Sequence, residues 1–449
     1  MIHKYSLFGA NIVIDVNSGA IHVLDDTAYK VLDFVKDRNL LLEDCLSAHP
    51  ELSREEVLEA FSEIKNLIDE NLLFTNDYME KIAQNYDKDS VIKALCLHIC
   101  HDCNLRCKYC FANTGDFKGE RSMMSFEVGK EAIDFVISES RHRKNIEIDY
   151  FGGEPLMNFE VVKKITEYAI EEGKKHNKNF RFTLTTNGLL LNEEKIKYIN
   201  EYMSNVVLSI DGRPEVNDFM RPTVSGGGTY DLIVEKFKEI AALRNQDNYY
   251  VRGTFTRNNL DFYEDVIHLA NLGFEQISVE PVVLDRENRF AIKEEDLPKI
   301  FENYEKLALE IARRKKEGKG FNFFHFMLDT DGGPCVYKRL SGCGAGHEYV
   351  AITPKGEIYP CHQFVGIEEF KLGDVFSKKI NKELGDKFRK SNVYTKEECK
   401  SCWAKFYCSG GCFANAYNQN GDMDKPYKIG CEMQKKRVEC AIAIAAMLA

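Results

Sequence analysis

The chain has 449 residues, of which 44% are hydrophobic and 29% charged, and this length exceeds one ordinary core, so two or three domains are expected, although a single α/β barrel alone can reach about 250 residues. A net charge of −11 argues against a nucleic-acid partner, because neutralising phosphates requires a basic surface. No apolar run approaches the ~18 residues of a membrane span, and the opening "MIHKYSLFGANIVIDV" lacks the basic head, long apolar core and small-residue cleavage pattern of a secretory signal, so a cytoplasmic protein with reduced thiols and no membrane partner is expected.

Residues 1–75 form a unit of their own. "NIVIDVNSGAIHVL" alternates apolar and polar residues on both sides of Asn17-Ser18-Gly19, which predicts a small hairpin. Helical patterns follow at "TAYKVLDFVKD" and "REEVLEAFSEIKNLIDENLLF", the second opened by Ser53 as N-cap with Glu56 three positions on. A hairpin with helices has the outline of a small winged helix. Its 14 acidic and 6 basic side chains would repel a phosphate backbone. A peptide partner fits better, added as a strand to an exposed hairpin edge. The alternative is a purely structural cap. Residues 76–90, "TNDYMEKIAQNYDKDS" and its flanks, are polar and unpatterned and read as a linker.

From residue 91 to 320 the rhythm changes. Short β-rich runs recur at "VIKALCLHI", "NIEIDYF", "FRFTLTT", "NVVLSI", "YYVRGTF" and "QISVEPVV", with helix-patterned stretches such as "VVKKITEYAIEEGKK" between them. Six β-α units predict a parallel sheet in an incomplete TIM-type (β/α)6 barrel. Chemistry in such folds gathers at the carboxyl ends of the strands. A cysteine-rich loop follows the first run, "GGEP" (Gly152 to Pro155) the second, "TTNG" (Thr185 to Gly188) the third and "SIDG" (Ser209 to Gly212) the fourth. One glycine-containing loop is weak evidence, but four in register across consecutive units are a constellation.

The region 321–449 holds nine of the fifteen cysteines among "DGGPC", "GCGAG" and "KGEIYPC". Glycine and proline dominate, so little regular structure is expected, and cross-links or metals would have to hold the fold. "KKRVECAIAIAAMLA" reads as a closing amphipathic helix with Cys440 packed inside.

Fifteen clustered cysteines in a reduced compartment point to metal rather than disulfides. Cys103, Cys107 and Cys110 are spaced C-x3-C-x2-C. Three thiolates on one tight loop can each bind one iron of a four-iron cube and leave the fourth iron without a protein ligand. Tetrahedral zinc, with Cys100 or Cys96 as fourth ligand, is the bland alternative, although burial is the simpler account of both. With Tyr109 before the last cysteine, the loop resembles the radical S-adenosylmethionine (SAM) superfamily, whose motif is C-x3-C-x2-aromatic-C on the first β-α loop of a partial barrel.

That resemblance, over residues 91–320, implies that SAM chelates the open iron and that one electron splits its carbon–sulfur bond to give a 5′-deoxyadenosyl radical, the protein supplying placement and exclusion of water. It places Gly152, Gly153 and Glu154 against the SAM amino group, Asn187 and Ser209 along the ribose and methionine side, and Arg221 on the carboxylate. A solvated loop charge is the alternative for Arg221, which stands beside Pro222.

Further on, Cys343 and Cys361 precede Cys399, Cys402, Cys408 and Cys412, spaced C-x2-C-x5-C-x3-C, and then Cys431. This order resembles the SPASM domain, an extension of peptide-modifying radical SAM enzymes with two auxiliary 4Fe-4S clusters, which makes three clusters in all. By position, Cys399, Cys402, Cys408 and Cys431 complete one, while Cys343, Cys361 and Cys412 bind the other. Cys335 is a possible fourth ligand of the latter. The favoured alternative is that a substrate cysteine fills that place, held as thiolate at a fixed point.

The three-part order resembles the maturases of ribosomally made peptides, most of all the thioether-forming (sactipeptide-type) SCIFF peptide maturases. It implies a cysteine-rich precursor peptide whose leader binds the N-terminal unit, an electron donor such as ferredoxin or flavodoxin, and a bond from cysteine sulfur to an α-carbon, that of threonine. Anaerobic sulfatase-maturing enzymes, which make formylglycine, share the barrel and extension. They carry an aspartate base immediately after the cysteine matching Cys361, where this chain has His362, and they lack the N-terminal unit. His362 is a candidate base in its own right, against the plainer role of a loop residue. A non-catalytic, zinc-stabilised peptide-binding adaptor is the alternative from another class.

Overall fold

The computed structural model describes residues 1–36, 38–84, 90–328 and 339–448. Its N-terminal unit opens with an antiparallel meander of β1 (Ile2–Leu7), β2 (Ala10–Asp15) and β3 (Ile21–Leu24). The hairpin expected around Asn17-Ser18-Gly19 is the β2–β3 turn. Asp15 Oδ1 accepts from Ser18 N at 2.9 Å, and Gly19, at φ +79°, donates its N–H to Asp15 O at 2.8 Å. β1 is an additional strand that the alternation did not reveal. Helix Asp26–Val31, a short pair β4 (Val35–Lys36) and β5 (Asn39–Leu40), and helices Leu42–Ala48 and Arg54–Asp69 follow. The last helix starts where its capping box requires: Ser53 Oγ accepts from Glu56 N, and Glu56 Oε2 accepts from Ser53 N at 2.7 Å.

β2 is apolar at consecutive positions because both of its faces are covered. Val13 packs with Val57, Ile64 and Ile68 in the unit's own core. Ile12 and Ile14, on the opposite face of the pleat, pack against Val438, Ile442 and Ala443 of the C-terminal helix Lys428–Leu448.

The expected linker carries a short element of its own. Within residues 76–90, helix Met79–Gln84 forms, and Met79 is buried with Val16, Leu340, Val393 and Phe406. Its sequence looks unpatterned because few apolar side chains are needed when Asp77 anchors it through charge, accepting from Lys405 Nζ at 2.8 Å.

Six parallel strands then build the open barrel: β6 (Ala94–Cys100), β7 (Asn145–Gly152), β8 (Asn179–Thr186), β9 (Asn205–Ser209), β10 (Tyr249–Phe255) and β11 (Gln276–Pro281). Helices Phe126–Glu139, Phe159–His176, Glu193–Tyr202, Tyr230–Leu243, Phe262–Asn271 and Leu297–Lys316 cover its outside. β12 (Asn322–Phe323) extends the β11 edge, two residues past the expected boundary at 320. The register sets Cys100 opposite Gly152, and Thr186 opposite Leu208, the residue before Ser209. The four loops therefore leave from one rim.

The C-terminal region is more regular than its glycines suggested. β13 (Tyr349–Ile352) pairs parallel with β6, and β14 (Glu357–Tyr359), β15 (Gly373–Asp374) and β16 (Lys379–Ile380) continue antiparallel, so both regions share one 11-stranded sheet. The open edge of β6 supplies hydrogen-bond partners that a local reading of "EYVAIT" could not anticipate. The closing helix packs along Leu297–Lys316 with Cys440 buried. Among the described residues no helix is long and apolar enough to cross a membrane.

Candidate functional site

The loop after β6 is fixed from two sides by backbone hydrogen bonds. Gly153 N donates to Cys100 O at 2.9 Å and Glu154 N to Asp102 O at 3.0 Å, while Arg106 N reaches Pro222 O and Lys108 N reaches Met220 O. This close approach explains the glycine pair. A Cβ on Gly152, at φ +126°, would lie 2.3 Å from Cys100 O, and one on Gly153 would lie 1.9 Å from Asp102 O. Cys100 is buried and its thiol donates to Glu154 O at 3.0 Å, so it serves the turn. Cys96 is buried too.

Cys103, Cys107 and Cys110 stand near enough that each would feel a neighbour's thiolate. Burial pushes Cys103 up to about 12 and Cys107 to about 11, and raises Cys110.

Glu154 is buried and its carboxylate is largely engaged inside the protein. Oε1 accepts from Leu156 N and Thr186 Oγ1, and Oε2 from Asn187 N at 2.8 Å. It clasps the second loop to the third, which leaves about one of its four lone-pair sites for a ligand. Burial still raises its pKa against these bonds. Asn187 Nδ2 donates to Asn104 Oδ1 at 2.8 Å, which brings the third loop beside the cysteine loop. Ser209 lines the adjoining cavity.

The fourth loop holds a residue that the motif reading passed over. Asp211, fully buried, accepts from Tyr109 Oη at 2.8 Å and from Thr254 N at 3.0 Å, and Arg221 Nη1 donates to the same Tyr109 hydroxyl at 2.7 Å. Arg221 is thus no solvated loop charge: it is 7% exposed, and its buried Nε has no hydrogen-bond partner. Burial, opposed by Arg221, pushes Asp211 up to about 6. The signal for Asp211 lay inside "SIDG": a carboxylate directly after an apolar strand has to find a buried partner.

A cavity of about 1010 Å³ joins this rim to the C-terminal region, with Cys103, Asn187 and Arg221 on one side and Cys399, Cys412 and Cys431 on the other. Seven cysteines of the C-terminal region fall into two sets. Cys399, Cys402, Cys408 and Cys431 are mutual neighbours, with Cys399 raised by burial to about 11 and Cys431 to about 12. Cys361, raised by burial to about 12, neighbours Cys412 and Cys343. Cys335 lies outside the described residues. His362 lines the cavity with its ring 5.0 Å from that of Phe151, and burial, then Arg252, lowers its pKa to about 4.

The donor sets are thiols alone, in groups of three, four and three, which is the donor chemistry of iron–sulfur clusters. The orphaned donor on Arg221 fits an anionic ligand group at the cavity wall. Residues 97–266 match the Radical SAM superfamily, and residues 343–403 match SPASM, an iron-sulfur cluster-binding domain.

The chain belongs to the radical SAM superfamily. This radical SAM protein, which binds SAM and iron–sulfur clusters, is 22% identical over 441 residues to the radical SAM cyclopropyl synthase TigE of Paramaledivibacter caminithermalis, covering 93% of this chain and 89% of that one. It is 25% identical over 363 residues to a cysteine-type anaerobic sulfatase-maturating enzyme of Clostridium perfringens strain 13, covering 76% of this chain and 93% of that one. Its fold matches Streptococcus suis SuiB bound to the precursor peptide SuiA with a TM-score of 0.53 at 18% identity, over 93% of this chain and 96% of that one.

Proposed function

We propose that this radical SAM protein is a peptide maturase that joins a cysteine sulfur to an α-carbon, that of threonine, in a cysteine-rich precursor. The observation that carries the reading is the three-thiol group Cys343, Cys361 and Cys412, which reaches the shared cavity through Cys412, a cavity that His362 also lines. Three protein thiols leave one corner of a four-iron cluster to a substrate cysteine, which fixes the sulfur close to the rim where the SAM-binding loops meet. Cys335 is the alternative fourth ligand.

In this reading Cys103, Cys107 and Cys110 hold the first cluster, and Cys399, Cys402, Cys408 and Cys431 the third. Bound SAM supplies a radical that removes one hydrogen atom from the acceptor α-carbon. The protein's side chains do the rest. Arg221, backed by Tyr109 and Asp211, offers its free Nε to the SAM carboxylate, while Glu154, Gly152 and Gly153 hold the second loop against the cysteine loop and Asn187 and Ser209 line the ribose and methionine side. His362, which lines the same cavity, is the candidate base for the thiol proton. The product loses two hydrogens, one as the atom taken from carbon and one as the sulfur's proton, and the electron released with them would be taken up by the clusters that the auxiliary cysteines would hold. A ferredoxin or flavodoxin supplies the electron that starts the cycle. β3 pairs only with β2 among the described residues, and its Val23 is 57% exposed, so a leader peptide can add there as a strand.

The sulfatase-maturing reading is supported by the C. perfringens relative, of which the alignment covers 93%. Against it stand His362 in place of aspartate and the N-terminal unit. Anaerobic reconstitution with a cysteine-rich precursor separates the readings. The thioether reading expects about twelve irons per chain, SAM cleavage after reduction, and a peptide lighter by two hydrogens with one free thiol consumed. An aldehyde in the peptide would overturn it in favour of formylglycine synthesis, and a colourless zinc protein would favour the adaptor.

A further inference from the structure

Among the described residues two lysines are buried in the cysteine-rich region, and they are compensated differently. Lys405, 3% exposed, donates to Asp77 Oδ2 at 2.8 Å. Lys396 is 2% exposed and forms no ion pair among the described residues; its ammonium donates to Gly410 O at 2.9 Å and lies 4.3 Å from the centre of the Phe413 ring. The neighbouring acid, Asp424, has its Oδ1 engaged by Ser391 Oγ. A buried ammonium with one neutral carbonyl, one ring face and a nearby carboxylate that makes no direct ion pair with it is undercompensated, since a buried charge without a direct partner costs several kcal/mol.

Its position supplies the missing charge. Gly410 is the midpoint of the segment from Cys408 to Cys412, one cysteine from each auxiliary set, and Phe413 follows Cys412. On its other side, Cys399 N donates to Lys396 O at 3.0 Å. The ammonium therefore sits where the two sets meet, and iron–sulfur clusters held by thiolates are anionic, more so when reduced. We propose that Lys396 is the fixed counter-charge shared by the two auxiliary cysteine sets, a positioning residue that raises the reduction potential of both clusters and so favours their uptake of the electron released when the sulfur–carbon bond forms. The inference rests on the reading that these seven cysteines hold two clusters.

The test is a spectroscopic redox titration of the full-length, anaerobically reconstituted protein, comparing wild type with Lys396→Met and Lys396→Arg. In Lys396→Met the auxiliary signals should become harder to reduce by about tenfold in equilibrium, ~59 mV for a one-electron couple, while the cluster of Cys103, Cys107 and Cys110 keeps its potential. Lys396→Arg should stay near wild type. Unchanged auxiliary potentials in a fully loaded Lys396→Met protein overturn the proposal. Should Lys396→Met lose auxiliary iron, retention of that iron in Lys396→Arg supports the charge role, and loss in both variants overturns it in favour of shape. A wild-type protein holding only about four irons defeats the underlying cluster reading, an outcome distinct from any behaviour of the variants.

Discussion

Lys405 Nζ and Asp77 Oδ2 meet at 2.8 Å across 328 positions of sequence, so the segment leaving the N-terminal unit is tied to the loop that carries Cys399, Cys402 and Cys408. Tyr394 Oη donates to the other oxygen of Asp77. The carboxylate's pKa is lowered even though burial, its largest influence, acts the other way. Removing Asp77 by Asp77→Ala strands a buried ammonium and should lower unfolding stability by about 3 kcal/mol, read from urea midpoints. A free tether would show no change.

The Tyr109–Asp211–Arg221 cluster makes a second prediction. Asp211→Ala leaves Arg221 without its counter-charge and should cost about 3 kcal/mol, with loss of iron from the first cysteine group. Tyr109→Phe removes only the bridging hydroxyl and should cost about 1 kcal/mol. Equal effects of the two substitutions in chemical denaturation would contradict the charge argument.

Gly153→Ala places a Cβ against Asp102 O at 1.9 Å, so the second loop has to lift off the cysteine loop. We expect about 3 kcal/mol of destabilisation and failure to hold iron at Cys103, Cys107 and Cys110. Gly119→Ala serves as control in the cysteine loop itself, where the nearest atom is 3.5 Å away, and its melting temperature and iron content should match wild type.

Asp149 lies on the inner face of β7, because its neighbour Tyr150 points outward to bond Thr166. Burial, then the charge of Glu147, pushes its pKa from 3.8 up to about 7. The folded state thus keeps a proton that the unfolded chain has released. The associated stability is complete below 3.8 and is lost as pH rises through about 7. Urea unfolding at about pH 5 and about pH 8 should show this loss, and Asp149→Asn should flatten it. The same slope in both proteins would assign the pH dependence elsewhere.

Local features are legible along the chain: the cysteine spacing on one loop, the capping box at Ser53 and Glu56, the six β-α units and the placement of their loops on one rim, since strand polarity in a parallel sheet puts every such loop at the same end. Tertiary structure decided which charges survive burial. Arg221 and Asp211 meet at Tyr109, which is 112 and 102 residues away from them, and Asp77 and Lys396 acquire their roles only in the folded chain. Likewise β13 becomes a strand because β6 has an open edge. Periodicity records how a residue relates to its near neighbours along the chain, whereas desolvation and pairing depend on distant groups that folding alone brings together.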